Sequence, residues 1–173
     1  MSHKHHIAGS IPVSAITIHY EIKLKQHFNK LDTFLISNFQ RYGIIAVRWS
    51  LGIIFLWFGI LKFFPGLSPA EDLVANTTTL MTFGVIKSSI LVKCVALWES
   101  LIGIGILTDR FQRVTLFLLW LQMVGAFSPL IFFPHDMFTV FPYALTLEGQ
   151  YIVKNLTLIA GSIILAGNVK RVE

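Results

Sequence analysis

The sequence predicts an all-α integral membrane protein: a four-transmembrane-helix bundle with an N-terminal amphipathic helix and a short outer-loop helix. Three observations carry that prediction. Of the 173 residues, 54% are hydrophobic and only 13% are charged, with a mean hydropathy of +0.69, whereas about a quarter of a soluble domain is charged. Each of four apolar runs is long enough to cross about 30 Å of hydrocarbon at about 1.5 Å per residue. The runs are Ile44–Phe64, Ser89–Leu107, Phe111–Phe133 and Gly149–Gly167.

The runs also set the expected organisation of the chain. We expect a flexible N-terminus over residues 1–12, a cytoplasmic amphipathic helical segment over 13–43, the four-helix transmembrane domain over 44–168 and a cytoplasmic tail over 169–173. A helix over 13–43 is expected to lie on the inner membrane surface, with docking of a partner protein as the alternative. Its apolar face would carry Leu24, Phe28, Leu31, Phe34 and Leu35.

The placement of lysine and arginine predicts the orientation. Basic residues precede the first run, occupy the turn between the second and third runs, and end the chain. The loop after the first run has only Lys87 near its end, and the loop after the third run has none. The positive-inside rule therefore places both termini in the cytoplasm. The net charge of +5 sits beside apolar runs, which favours lipid head groups over nucleic acid.

Two segments are expected to form the outer face. In "SPAEDLVANTTTLMTFG", Ser68, Pro69 and Glu71 match a capping box and predict a helix over the outer mouth of the bundle. The second segment, "PHDMFTVFPYALT", is aromatic and has few charges. Its aromatic side chains are expected either to sit in the membrane interface or to fold back into the bundle.

One face of the first run combines charged and small residues. Arg48 and Lys62 are fourteen residues apart, which returns them to nearly the same face of a helix. Gly52, Phe55 and Gly59 lie between them on that face. Because glycine allows close helix approach, this face is expected to look into the bundle.

Glu99, near the middle of the second run, raises the question of what pairs with it. An ionised carboxylate alone in lipid costs several kcal/mol, so Glu99 must be neutral, hydrated or paired. We expect it to meet Lys154 and Asn155 at the polar start of the fourth run and to form the floor of a pocket open to the outer face. Arg48, Lys62 and Glu148 are expected to support this pocket. The alternative is a buried ion pair that only fixes the helix register. The full set of pocket candidates is Glu99, Lys154, Asn155, Lys62, Glu148, Arg48 and Gln122.

Three stretches resemble the DoxX family of bacterial integral membrane proteins: "RWSLGIIFLWFGILKFFPG", "LWESLIGIGILTDRFQR" and "FPYALTLEGQYIVKNLTLIAG". The first is also similar to a related inner-membrane family that contains a reactive-chlorine-resistance protein. The family takes its name from a small subunit of an archaeal thiosulfate:quinone oxidoreductase or quinol oxidase. The resemblance thus implies an accessory or anchoring subunit in redox or oxidative-stress physiology, located in a bacterial inner membrane.

The residues argue against a redox group carried by this chain. Cys94 is the only cysteine, and His135 is the only histidine after the first run begins, so neither an iron–sulfur cluster nor bis-histidine haem is expected. The histidines near the N-terminus lie in chain expected to be flexible, and no metal site is predicted. We therefore expect no stand-alone catalyst. The ligand of the pocket is left open between a quinone and another small molecule. For a quinone, Phe55, Trp57, Phe58 and Trp98 are the residues that could flank its ring, with packing or lipid contact as their alternative role.

Two other classes of function stay open at this point. An oligomer of the chain would allow transport of a small solute, an ion or protons, with Glu99 between two basic residues along the path. A purely structural membrane scaffold is the other class. The partners expected are the lipid bilayer together with either further copies of the chain or a redox partner subunit.

Overall fold

The computed structural model describes the backbone of residues 13–169 and the side chains of residues 23–169. Expectations for residues 1–12 and 170–173 lie outside this range. The helices are α1 (Val13–Leu61), α2 (Glu71–Met81), α3 (Ser88–Thr108), α4 (Gln112–Phe127), α5 (Pro129–Phe132), α6 (Pro134–Met137) and α7 (Leu147–Gly167). Strands β1 (Phe138–Val140) and β2 (Ala144–Leu145) form an antiparallel hairpin between α6 and α7.

Four helical stretches are long and apolar enough to cross a membrane: Lys23–Leu61, Ser88–Thr108, Gln112–Phe132 and Leu147–Gly167. They contain most of each predicted apolar run. The fold class is confirmed, and the chain is a multi-pass, all-α membrane protein.

The chain divides into two compact units, residues 1–43 and 44–173. In the described part of the first unit, α1 exposes the apolar side chains predicted for an amphipathic face, including Phe28 at 65% and Phe34 at 63%. Whether that face meets the membrane surface or a partner stays a prediction. The second unit contains the four-helix bundle.

Glycines bring α1 and α3 together within the second unit. A Cβ added at Gly103 would meet the backbone nitrogen of Leu56 at 2.5 Å, and one at Gly59 would meet that of Ser100 at 2.7 Å. Phe55 is only 5% exposed. The prediction that this face of the first run looks into the bundle is confirmed. The core beside it consists of Leu51, Phe55, Ile102, Ile106, Leu116, Leu119, Met123 and Leu165.

The two helices run antiparallel, and the C-terminal end of α1 does not reach the level of the first residues of α3. Gly52 lies against Leu107, Gly59 against Ala96 and Ser100, and α1 stops two residues after Gly59. Residues 88–95 of α3, about 12 Å of helix, therefore extend past the end of α1. For brevity we call this side of the bundle the loop end, and the side of the α3–α4 connection the turn end.

The α3–α4 connection is the short turn that the sequence predicts. Asp109 and Phe111 take left-handed backbone angles, with φ of 58° and 52°. The helices then pack side by side, and Trp98 Nε1 donates to the Leu118 carbonyl at 3.2 Å. α3 and α4 are antiparallel neighbours, as expected.

The outer-loop helix α2 forms, but the capping box does not. The helix begins at Glu71 rather than Pro69, and the Ser68 hydroxyl has no hydrogen-bond partner. Glu71 Oε2 instead accepts from the backbone nitrogen of Gly66 at 2.7 Å. Gly66 has φ of +77°, and this left-handed backbone conformation directs the Gly66 amide towards the Glu71 carboxylate. The capping box predicted for Ser68 and Glu71 is therefore wrong, because Glu71 pairs with the Gly66 amide instead.

The second loop both folds back and stays exposed. Met137 is 1% exposed, whereas Phe141 and Tyr143 are 69% and 79% exposed. Thr146 caps α7, since its hydroxyl accepts from the Gly149 backbone nitrogen at 3.2 Å and donates to the Asp136 carbonyl at 2.7 Å. The β1–β2 hairpin was not expected from the sequence.

Candidate functional site

An ion pair between Lys62 and Glu99 occupies the middle of the bundle. Lys62 Nζ lies 2.6 Å from Glu99 Oε2, and the two side chains are only 6% and 13% exposed. Lys62 follows the last residue of α1, whereas Glu99 is eleven residues into α3. Lys62 Nζ also donates to the Phe58 carbonyl at 3.3 Å, one of the carbonyls that a helix end leaves without a helical partner.

A third helix completes the arrangement. Gln122 Nε2 on α4 donates to Glu99 Oε1 at 3.0 Å. Each carboxylate oxygen thus accepts from a side chain on a different element. Lys62, Glu99 and Gln122 are called the Glu99 cluster below.

Close packing of α1 on α3 positions this cluster. Gly59 lets the end of α1 approach the backbone of α3 at Ala96 and Ser100, one residue from Glu99. The Ser100 hydroxyl turns back to the Ala96 carbonyl at 2.8 Å, so it does not compete for Glu99. Lys62, one helical turn beyond Gly59, then reaches the carboxylate directly.

The cluster is formally neutral, which makes its burial tolerable. A paired and hydrogen-bonded charge avoids most of the cost of an isolated one, although removing either partner leaves the other charge unpaired. Lysine has three N–H donors, and two of them have acceptors here. Within the described part of the chain, the third N–H has no acceptor, and the side-chain oxygen of Gln122 has no donor.

The expected partners of Glu99 on α7 are not its partners. Lys154 is exposed, and its ammonium lies over the Tyr151 ring at 5.2 Å from the centroid. Trp120 Nε1 donates to Ser162 Oγ at 2.9 Å, which aligns this part of α4 with Ser162. Lys154 is eight residues earlier, about 12 Å along the helix. The predicted pairing of Glu99 with Lys154 and Asn155 is therefore corrected to Lys62 and Gln122.

The remaining candidates lie elsewhere. Glu148 is exposed and Asn155 is half-buried on α7. Lys62, in contrast, lies at mid-bundle and turns inwards, because α1 ends at Leu61. The depth of a lysine in the bundle depends on where its helix stops, and the sequence gives helix length only approximately.

Arg48 belongs to a separate pair at the turn end. Its Nη1 lies 2.7 Å from Asp109 Oδ2, and Asp109 Oδ1 accepts from Gln112 Nε2. The sequence reasoning missed Asp109. Its place in a short turn between two runs, with a basic residue on the facing stripe of the first run, was the available signal.

Asp109→Asn is expected to cost only about 0.2–1 kcal/mol, since the carboxylate is half exposed and exposed ion pairs contribute little. Asp109→Ala is expected to cost more, because alanine lacks the local hydrogen bonds that help aspartate adopt the left-handed region. Thermal unfolding of both variants beside Asp136→Asn, which changes an exposed carboxylate away from this turn, would measure the difference. Equal melting temperatures for Asp109→Ala and Asp136→Asn would contradict this account.

The fold and the Glu99 cluster together define a multi-pass helical membrane protein with a neutralised ionic network inside its bundle. Residues 43–136 match the model of the DoxX family, which is more than half of the chain. The protein belongs to the DoxX family, as the resemblance implied. The match includes all three residues of the Glu99 cluster and ends before α7.

Comparisons with individual proteins add no closer relationship. No curated protein gives a significant match, and no solved structure does so either.

Proposed function

We propose that this DoxX-family protein is an accessory or anchoring membrane subunit in redox or oxidative-stress physiology, and that its Glu99 cluster binds the head group of a quinone. The observation that supports the proposal is a set of polar side chains from three parts of the chain converging at mid-bundle, with one N–H of Lys62 that has no acceptor in residues 23–169. Quinone carbonyls accept hydrogen bonds of this kind. The electron chemistry would belong to the quinone and a partner enzyme, and this chain would supply binding and orientation.

The surroundings of the cluster fit an approach from the membrane. Phe58 is 47% exposed and lies one helical turn before Lys62 on the same face. A quinone ring lying against Phe58 would bring a carbonyl towards the Lys62 ammonium. Two of the residues predicted to flank a quinone ring are engaged elsewhere. Phe55 belongs to the hydrophobic core, and the Trp98 N–H donates to the Leu118 carbonyl.

The location and orientation remain part of the proposal. Lys23, Lys25, Lys30 and Arg41 before the bundle, and Arg110 and Arg113 at the turn end, support a cytoplasmic turn end by the positive-inside rule. The loop end would then face outwards from a bacterial inner membrane.

The test is the thermal stability of purified protein with short-chain benzoquinone and naphthoquinone analogues. A ligand that binds the native state raises the melting temperature. The shift is expected to disappear in the double variant Lys62→Met/Glu99→Gln, which leaves no unpaired charge. Lys154→Met, which changes an exposed lysine outside the cluster, is expected to keep the full shift.

A purely structural role is the second candidate. Both oxygens of Glu99 already have partners within the chain, which favours an element that fixes helix register. In that case no quinone raises the melting temperature of either the native protein or the variants. A quinone shift that survives in the double variant would also reject the Glu99 cluster as the binding site.

A further inference from the structure

Because α1 ends early, the loop-end half of the bundle contains a non-helical segment and the short helix α2 where α1 would otherwise continue. Residues 88–95 of α3 extend beyond α1, and the chain from Lys62 to α2 starts level with Glu99 rather than at the membrane surface. α2 packs on α3 and on α5, and Met81 Sδ lies 4.0 Å from Ser128 Oγ at the α4–α5 junction. Residues 62–81 therefore occupy the space between the Glu99 cluster and the loop-end surface.

Non-helical backbone at such depth requires either protein or water around it. Between Lys62 and Glu71 the chain runs in successive turns. Several of its amides find carbonyls three residues earlier, as Lys62 does with Gly59 and Leu67 with Phe64. The backbone hydrogen-bonding groups of this segment are thus largely satisfied by the chain itself.

Two hydroxyls of this segment are buried and have no partner among the residues that the structure describes. Ser68 is 7% exposed and Thr77 is 5% exposed, and neither oxygen has a hydrogen bond. Thr77 is the buried residue of α2. Its neighbour Thr78 donates to the carbonyl four residues earlier at 2.6 Å, a bond that Thr77 does not make. A buried hydroxyl without a partner is costly and is usually satisfied by ordered water.

We propose that Ser68 and Thr77 line a hydrated path from the loop end to the Glu99 cluster. Its ligand is water, together with the small hydrated ions that water can carry. Glu99 keeps 13% of its side-chain surface accessible and forms the inner end of the path. This proposal does not depend on quinone binding, because it concerns what reaches the ion pair from one side.

Cysteine accessibility tests the path directly. The native Cys94 is exposed and is first replaced by alanine. Ser68→Cys and Thr77→Cys are then treated, in detergent-solubilised protein, with a charged methanethiosulfonate reagent that reacts with thiolates in water. Both cysteines are expected to be labelled to completion, because water ionises the thiol and carries the reagent.

Two control positions give the result its meaning. Leu119→Cys lies in the dry core, at 0% exposure, and Val124→Cys lies on the outer surface of α4, at 69% exposure, where detergent replaces lipid. Both are expected to stay unlabelled. Folded Ser68→Cys and Thr77→Cys proteins that resist labelling as Leu119→Cys does would overturn the proposal, and so would equal labelling at Val124→Cys.

Thr77→Val gives a second readout that needs no reagent. Valine keeps the shape of threonine and removes the hydroxyl. If Thr77 binds water in the path, the substitution lowers the melting temperature. A raised melting temperature would mean that the hydroxyl is buried dry, and the proposal would fail.

Discussion

Replacing Lys62 with methionine is expected to lower the free energy of unfolding by about 3–5 kcal/mol, the cost of leaving a buried charge without its partner. Among the described residues, Glu99 would keep only the hydrogen bond from Gln122. Reversible unfolding of the protein in mixed micelles, followed by circular dichroism, measures the change. The effect should exceed that of any single substitution at an exposed charge.

The matched variants decide whether the cost comes from the pair. Lys62→Met/Glu99→Gln removes both charges and is expected to recover most of the lost stability, because a neutral replacement of a buried ion pair is often tolerated. Lys154→Met removes an exposed lysine that contacts only the Tyr151 ring among the described residues, and is expected to change stability little. If Lys154→Met proves as damaging as Lys62→Met, the assignment of Lys62 as the partner of Glu99 is wrong.

Gly103→Ala is expected to destabilise the bundle by about 1–3 kcal/mol, the range for overpacking a filled interior. The new Cβ would meet the backbone nitrogen of Leu56 at 2.5 Å and its Cα at 2.8 Å. Backbone atoms cannot rotate away, so α1 and α3 must separate. Since Gly103 is one helical turn from Glu99, the separation should also weaken the Lys62–Glu99 contact.

Gly125→Ala is the control for this second prediction. A Cβ at Gly125 meets nothing within 4 Å, and alanine favours the helix over glycine by about 1 kcal/mol. Unfolding of the two variants should therefore shift in opposite directions. If the Gly103→Ala protein is as stable as the Gly125→Ala protein, α1 and α3 can separate without lowering the free energy of unfolding, and the prediction is wrong.

Much of the fold follows from the sequence because a membrane imposes a simple requirement. A run such as Ser89–Leu107 must be helical to satisfy its backbone in lipid, and the structure places α3 within one residue of each end. The inward face of Gly52, Phe55 and Gly59 was predictable for a related reason, since periodicity and residue size both mark it.

The partner of Glu99 was not predictable in the same way. Lys62 and Lys154 each lie near the end of an apolar run, and their depth depends on where a helix stops and how far it is shifted along its neighbours. α1 stops at Leu61 although the apolar run continues to Phe64. Three residues of helix decide whether the lysine faces head groups or a carboxylate at mid-bundle.

The two ion pairs between the first and second membrane helices have a consequence for biogenesis. Arg48 on α1 and Lys62 directly after α1 are about 21 Å apart along the helix direction. Their partners Asp109 and Glu99 lie at the end of α3 and within it. During synthesis α1 enters the membrane first, and Lys62 must wait at mid-depth or at the surface until Glu99 follows. A nascent chain stopped between residues 62 and 99 would carry the Lys62 ammonium without the carboxylate that neutralises it in the complete bundle.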